Sequence, residues 1–153
     1  MQLRYFEDFA DAVGQTLQLG SHQFTADSII AFASQYDPQP MHTDPEQAKQ
    51  SIYGGLIASG WQTAVTYMRL LVDAMMGGTA SIGSPGLDHL RWLKPVRPGD
   101  TLSGRFTILE ATASRSRPDR GIVRSRGEMV NQHGEIVMDV EAVNFFGRRP
   151  RGD

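Results

Sequence analysis

The sequence contains no cysteine in its 153 residues. Disulfide bonds and thiolate metal sites are therefore excluded, because both need a cysteine sulfur. An excess of one charge is missing too, since 15 lysines and arginines stand against 17 aspartates and glutamates. Nucleic acids and anionic membrane surfaces attract proteins through surplus basic residues. We therefore expect neither of them as a partner.

Long apolar runs and targeting signals are missing as well. The longest apolar-rich run, residues 56–76, is interrupted by Gln62, Arg69 and Asp73, whereas a membrane-spanning helix needs about 20 predominantly apolar residues. Residues 1–14 are acidic and aromatic, and they lack the basic start of a signal peptide. We therefore expect a cytoplasmic protein, and the chain length corresponds to one domain.

Hydrophobic periodicity predicts an α+β fold in which a sheet wraps around one long apolar helix. In the first half of the chain, the pattern predicts an irregular lead-in at 1–14 and a strand at 15–24. Three helices are predicted to follow: a short one capped by Thr25, another capped by Asp44, and the long helix from about Ser59 to Met76. This long helix is apolar around most of its circumference, so we expect the sheet to bury most of it. The second half predicts four antiparallel strands at 87–93, 101–109, 122–130 and 135–146.

The connection between the last two predicted strands fixes an expected register. If its turn is centred on residues 132–133, Arg126 lies opposite Asp139 and Arg124 lies opposite Glu141. Opposite charges would then meet across the ladder on the solvent face, which makes this register self-consistent.

A short segment between the predicted helices carries an aspartate and a histidine. Asp37 and His42 lie on either side of Pro38, Gln39 and Pro40. The prolines predict a stiff, non-helical segment that holds the two side chains in a defined relation. A carboxylate and an imidazole in such a relation are suited to acid–base catalysis. Ordinary loop chemistry explains the same residues, so both interpretations stay open at this point.

Metal binding is the weaker hypothesis for this segment. Asp37, His42 and Asp44 could coordinate a cation, but no further cluster of ligands with metal-site spacing is present. We expect no metal site, and we expect Asp44 to act as a helix cap. The other histidines have no partner at useful spacing in the sequence, which favours surface positions or hydrogen-bonded structural positions for them: His22, His89 and His133.

Three blocks of the sequence together resemble the MaoC-like dehydratases, which are close relatives of the (R)-specific enoyl-CoA hydratases. The blocks are YDPQPMHTD from Tyr36, GGLIASGW from Gly54 and LRWLKPVRPGDTL from Leu90. The resemblance implies the hot-dog fold, in which a curved antiparallel sheet wraps around one long helix. It implies a single domain over residues 1–147 and a homodimer. The remaining residues, 148–153, are rich in arginine, and we expect them to form a frayed basic tail.

The resemblance also implies a reaction and the residues that perform it. By position, Asp37 and His42 match the catalytic aspartate and histidine of the hydratases. Gly60 matches the glycine whose backbone N–H holds the thioester carbonyl. The implied reaction adds water to trans-2-enoyl-CoA, or dehydrates the matching (R)-3-hydroxyacyl-CoA. It needs no metal or organic cofactor, because coenzyme A enters as part of the substrate.

Further residues are candidates for the substrate pocket. Gln39 stands where the hydratase motif often has asparagine, which leaves the acyl group open. Trp61 follows Gly60 and either lines the acyl pocket or packs in the core. Arg91, together with Lys94 and Arg97, either meets the phosphates of coenzyme A or is an exposed charge.

Two alternative functions remain. Many hot-dog thioesterases carry a carboxylate early in the central helix, where this chain has Gln62, Thr63 and Thr66. That difference disfavours thioester hydrolysis. A subunit that binds acyl-CoA without catalysis is the second alternative, and the intact Asp37 and His42 count against it.

Overall fold

The computed structural model describes residues 1–152 and contains one five-stranded antiparallel sheet around a central helix. The strands are β1 Thr16–Gln23, β2 Ser81–Trp92, β3 Thr101–Ala113, β4 Arg120–Val130 and β5 Ile136–Gly147, in the order β1-β3-β4-β5-β2. The helices are α1 Phe6–Asp11, α2 Ala26–Tyr36, α3 Pro40–Thr43, α4 Pro45–Lys49 and α5 Gly60–Ala74, and a 3₁₀ turn follows at Met76–Gly78. The predicted α+β hot-dog architecture is confirmed.

Alternation along the strands places one side chain in two against the central helix. Leu102, Phe106 and Ile108 of β3 are buried, as their spacing predicts. β4 alternates between buried and partly buried residues along its whole length. The sheet therefore has one core-facing side and one side that carries most of its charged residues.

The central helix α5 is buried on one side and exposed on the other. Its buried side includes Gln62, Thr63, Tyr67 and Leu71. An exposed apolar stripe runs along the opposite side at helical spacing: Trp61, Val65, Met68 and Val72. The expectation that the sheet buries most of this helix is wrong for a single chain, because the sheet covers only one face of it.

Two predicted features of the chain ends are wrong. The expected irregular lead-in contains helix α1, whose Phe6 and Phe9 are buried. The expected frayed tail is tied to that helix, because Arg148 Nε donates to a Glu7 oxygen at 3.0 Å and Arg149 pairs with Asp8. Contacts between the two ends of a chain leave no local signal in the sequence. Asp153 lies outside the described residues.

The predicted register of the last hairpin is also wrong. Arg126 lies opposite Glu141, and Asp139 lies opposite Glu128. The Asn131 N–H donates to the Glu135 carbonyl, which closes a longer turn than expected, and Val137 enters β5 without a partner on β4. The extended turn and this bulge shift the ladder by two residues.

None of the helices within residues 1–152 is long and apolar enough to cross a membrane.

A close approach between α5 and β4 gives a test of this packing. A Cβ atom added at Gly127 would lie 2.2 Å from both the Tyr67 Cζ and its hydroxyl oxygen. We expect Gly127→Ala to lower the free energy of unfolding by about 1–3 kcal/mol, because the buried ring must shift. Urea denaturation measures the change. Gly78→Ala is the control, because an added Cβ there meets nothing within 4 Å, and equal stability of the two variants would contradict the packing.

Candidate active site

The segment after α2 begins the candidate site. Asp37 closes that helix, with its N–H donating to the Ala33 carbonyl at 2.8 Å. Pro40 then opens the one-turn helix α3, which carries His42. The expectation of a wholly non-helical segment is wrong over Pro40–Thr43, because proline fits the first position of a helix, where its missing N–H costs nothing.

Asp37 and His42 are brought together by this turn. His42 is only 5% exposed, and its Nε2 lies 3.4 Å from Asp37 Oδ2. Its Nδ1 lies 2.8 Å from the Ile57 carbonyl oxygen. A carbonyl oxygen only accepts hydrogen bonds, so Nδ1 carries a proton and donates it. Nε2 of the neutral ring is then a free acceptor beside the carboxylate.

Both oxygens of the Asp37 carboxylate accept hydrogen bonds from neighbouring side chains. Gln39 Nε2 donates to Oδ1 at 2.6 Å, and Ser59 Oγ donates to Oδ2 at 2.8 Å. The Gln39 bond is the largest effect that lowers the pKa of Asp37, and the Ser59 bond acts in the same direction, while burial opposes them. Asp37 is therefore held as a carboxylate.

Ser59 joins this pair to the central helix. It is fully buried and caps α5, with its Oγ accepting from the Trp61 N–H at 3.3 Å while donating to Asp37. The sequence predicts Ser59 as the start of the helix but gives it no place in the site. Its position directly before Gly60, at a helix cap, is the signal that could have identified it.

Gly60 is the first residue of α5, and its N–H is one of the four that a helix start leaves without an intrahelical partner. The helix dipole makes this end electropositive. A cavity of about 490 Å³ opens here and is lined by five of the candidates from the sequence: Asp37, Gln39, His42, Gly60 and Trp61. The cavity therefore combines a carboxylate, an imidazole and a helix N-terminus suited to a negatively charged oxygen.

Arg91 and Arg97 are the candidates that the structure separates from the others, because neither lines the cavity. The ladder partner of Arg91 is Asp139, and Arg97 Nη2 donates to the Tyr53 carbonyl at 2.8 Å. The residue after Arg91, Trp92, does line the cavity, because successive side chains of a strand point to opposite faces. Lys94 lines the cavity too and pairs with Glu135.

His89 is satisfied by neighbouring side chains, which is one of the two outcomes expected for it. Its Nε2 contacts an oxygen of Asp139, and its Nδ1 lies 4.0 Å from Glu141. These partners are about 50 residues away in the chain, so sequence spacing could not reveal them. The group does not line the cavity.

The family comparison decides which proteins this one belongs with. The MaoC-like domain matches residues 8–126, which is most of the chain. The chain belongs to the MaoC-like dehydratase family.

Individual relatives place it among hydratases and dehydratases. The crystal structure of a MaoC-like dehydratase from Rhodospirillum rubrum is 44% identical, with a TM-score of 0.87, and the match covers 96% of this chain and 99% of that one. An (R)-hydratase from A. caviae is 27% identical, with a TM-score of 0.70, covering 90% of this chain and 96% of that one. A mitochondrial 3-hydroxyacyl-[acyl-carrier-protein] dehydratase from Arabidopsis thaliana is 28% identical over 125 residues, covering 78% of this chain and 68% of that protein.

The hydrogen bond from Gln39 gives a test of what lowers the pKa of Asp37. Gln39→Leu removes the strongest of the contacts that favour the Asp37 carboxylate, so we expect the pKa of Asp37 to rise. A carboxyl with a lowered pKa stabilises the fold above its unfolded pKa, and this contribution is lost as the pH falls through the folded value. The variant should therefore lose less stability on acidification than the wild type.

The ¹³C chemical shift of the Asp37 carboxyl, followed against pH, measures this change directly. Gln35→Leu is the control, because Gln35 is exposed at the end of α2. An unchanged midpoint in Gln39→Leu would contradict the role assigned to this hydrogen bond.

Proposed function

We propose that this protein adds water to trans-2-enoyl-CoA, giving (R)-3-hydroxyacyl-CoA, and that it catalyses the reverse dehydration. The observation that carries the proposal is the pair of Asp37 Oδ2 and His42 Nε2, 3.4 Å apart, beside a cavity that also contains Gly60. Membership of the dehydratase family and the similarity to an (R)-hydratase support the same reaction.

The hydrogen bonds around the pair support a division of the acid–base roles between Asp37 and His42. Asp37 already accepts from Gln39 and Ser59, so it stays a carboxylate that orients water and stabilises a charged imidazole. His42 Nε2 is the free acceptor and takes a proton from the water. The water oxygen bonds to C3 of the enoyl thioester, and the electron pair of C2=C3 moves towards the carbonyl oxygen.

The Gly60 N–H would receive that developing negative charge, with the helix dipole acting in the same direction. When the enolate collapses, C2 takes the proton from the protonated His42, which restores the resting imidazole. One water has then been added across the double bond. The proposed reaction uses no metal or organic cofactor, and coenzyme A is part of the substrate.

Three other possibilities are a different acyl carrier, thioester hydrolysis, and binding without catalysis. An acyl-carrier-protein thioester is the second substrate to assay, because the Arabidopsis thaliana relative is a dehydratase of that class. Many hot-dog thioesterases carry a carboxylate early in the central helix, whereas the α5 residues at this cavity are Gly60, Trp61 and Thr63. A subunit that binds acyl-CoA without catalysis would show binding and no turnover.

The cytoplasmic location stays a prediction.

Two substitutions test the reaction and the residues together. We expect Asp37→Asn and His42→Ala each to slow hydration by about 100-fold or more, because each removes half of the acid–base pair. Loss of enoyl absorbance with crotonyl-CoA and longer trans-2-enoyl-CoAs measures the rate.

Asp44→Asn is the matched control. Asp44 caps α4 through the Glu46 and Gln47 N–H groups, and asparagine caps a helix about as well as aspartate. This variant should keep its activity. No hydration by the wild type, or equal rates in all four proteins, would overturn the proposed function.

We also propose a homodimer. The exposed apolar stripe on α5 includes Met68 and Val72, and the edge strand β2 exposes Ile82, Leu87 and Trp92. An unpaired edge and an exposed apolar stripe are the features that association between copies covers. Solved relatives that form complexes support association in this family.

A single charge on the apolar stripe tests the dimer. We expect Met68→Asp to convert a dimer into a monomer, because a charge buried in an apolar contact is not compensated. Sedimentation velocity at micromolar concentration gives the oligomeric state. Val13→Asp, at an exposed apolar position away from α5, should leave the dimer intact. A monomeric wild type, or a dimeric Met68→Asp, would refute the proposal.

A further inference from the structure

The indole of Trp92 lies directly against Gly60. A Cβ atom added at Gly60 would lie 2.4 Å from Trp92 Cε2, 2.5 Å from Cδ2 and 2.7 Å from Nε1. Cε2 and Cδ2 are the two carbons shared by the fused rings, so the ring system itself covers the glycine Cα. These distances are too short for any real side chain, which means that the indole and a Cβ at position 60 exclude each other.

The backbone alone does not require glycine at this position. Gly60 is the first residue of α5 and is absent from the glycines with positive φ. In a helix, alanine is favoured over glycine because it loses less conformational entropy. The contact with Trp92 is itself a steric reason for glycine at position 60.

Trp92 is held in place from two sides. It is the last residue of β2, and the N–H of the following Leu93 donates to the Val137 carbonyl at 2.8 Å. The Trp61 ring packs edge-on against it, with centroids 5.1 Å apart and an interplanar angle of 78°. Both indoles line the cavity. Trp92 therefore connects the end of the sheet to the first turn of the central helix.

We propose that Trp92 is a positioning residue, whose indole fixes the Gly60 N–H in the direction of the thioester carbonyl. The N–H nitrogen is one bond from the Cα that the indole covers, so any shift of that contact moves the donor. A donor aimed at a developing oxyanion is sensitive to such shifts. This inference rests on the proposed hydratase function, and it also has a structural part that can be tested without activity.

A double-mutant cycle tests the catalytic part. We expect Gly60→Ala to lower kcat about 100-fold, because the added methyl displaces the indole and the first turn of α5. Trp92→Ala removes all three clashing atoms. The kcat of the double variant Gly60→Ala/Trp92→Ala should therefore be higher than that of Gly60→Ala alone and equal to that of Trp92→Ala within about threefold. KM should change less than kcat, since the donor acts mainly on the transition state.

Trp61→Ala is the matched control for the rescue, because it also removes an indole that borders the cavity but leaves in place the three Trp92 atoms that clash with a Cβ at position 60. Combining Trp61→Ala with Gly60→Ala should not restore kcat. A Gly60→Ala/Trp92→Ala variant as slow as Gly60→Ala would overturn the inference, since glycine would then be needed for the substrate itself.

Urea denaturation of the same variants tests the packing part. Gly60→Ala should lower the midpoint when Trp92 is present and raise it in the Trp92→Ala background, where only the helix preference remains. If Gly60→Ala changes the urea midpoint equally with and without Trp92, the contact between Gly60 and Trp92 is refuted. If the wild type hydrates none of the enoyl-CoAs, the proposed function fails and the positioning role fails with it, while the urea cycle still decides the packing.

Discussion

The hydrogen bond from Ser59 to Asp37 is the interaction on which the site depends. It joins the cap of the central helix to the segment that follows α2, across 22 positions of the chain. Because Ser59 is fully buried and also accepts from the Trp61 N–H, the carboxylate and the helix start cannot move independently. One hydroxyl therefore sets the relation between the Asp37–His42 pair and the Gly60 N–H.

The surrounding elements make that relation stable. Gln39 holds the second carboxylate oxygen, and the Ile57 carbonyl fixes the proton on His42 Nδ1. These contacts come from the two ends of the loop that carries α3 and α4, so the loop is tied down at both sides of the cavity. Proline at the start of each short helix limits the conformations that the loop can adopt. The site is preorganised by hydrogen bonds that tie this loop to itself and to the start of α5.

The sequence predicted those features that depend on neighbouring residues. The caps at Thr25 and Asp44 are confirmed, because each hydrogen bond spans only two or three positions. The start of α5 at Ser59 and the inward side chains of β3 are also confirmed, because a helix cap and the alternation of a strand both depend on residues close together in the sequence. Asp37 and His42 could be selected because one proline-rich turn carries both of them.

Features that depend on distant residues could not be predicted. The contact between Gly60 and Trp92 joins a helix to the end of a strand, and the His89 group joins two strands. The hairpin register failed because a longer turn and the unpaired residue Val137 together shift every later pair by two residues. Sequence periodicity defines which face a residue occupies, but the partner on that face follows only from the folded chain.

The most direct test of the central claim follows the oxygen of water into the product. Wild-type protein is incubated with a trans-2-enoyl-CoA in H₂¹⁸O, and the products are analysed by mass spectrometry. Hydration by the Asp37–His42 pair predicts one ¹⁸O atom in the C3 hydroxyl of an intact thioester. Label in the carboxylate of a released acid, or no label above the protein-free control, would contradict it.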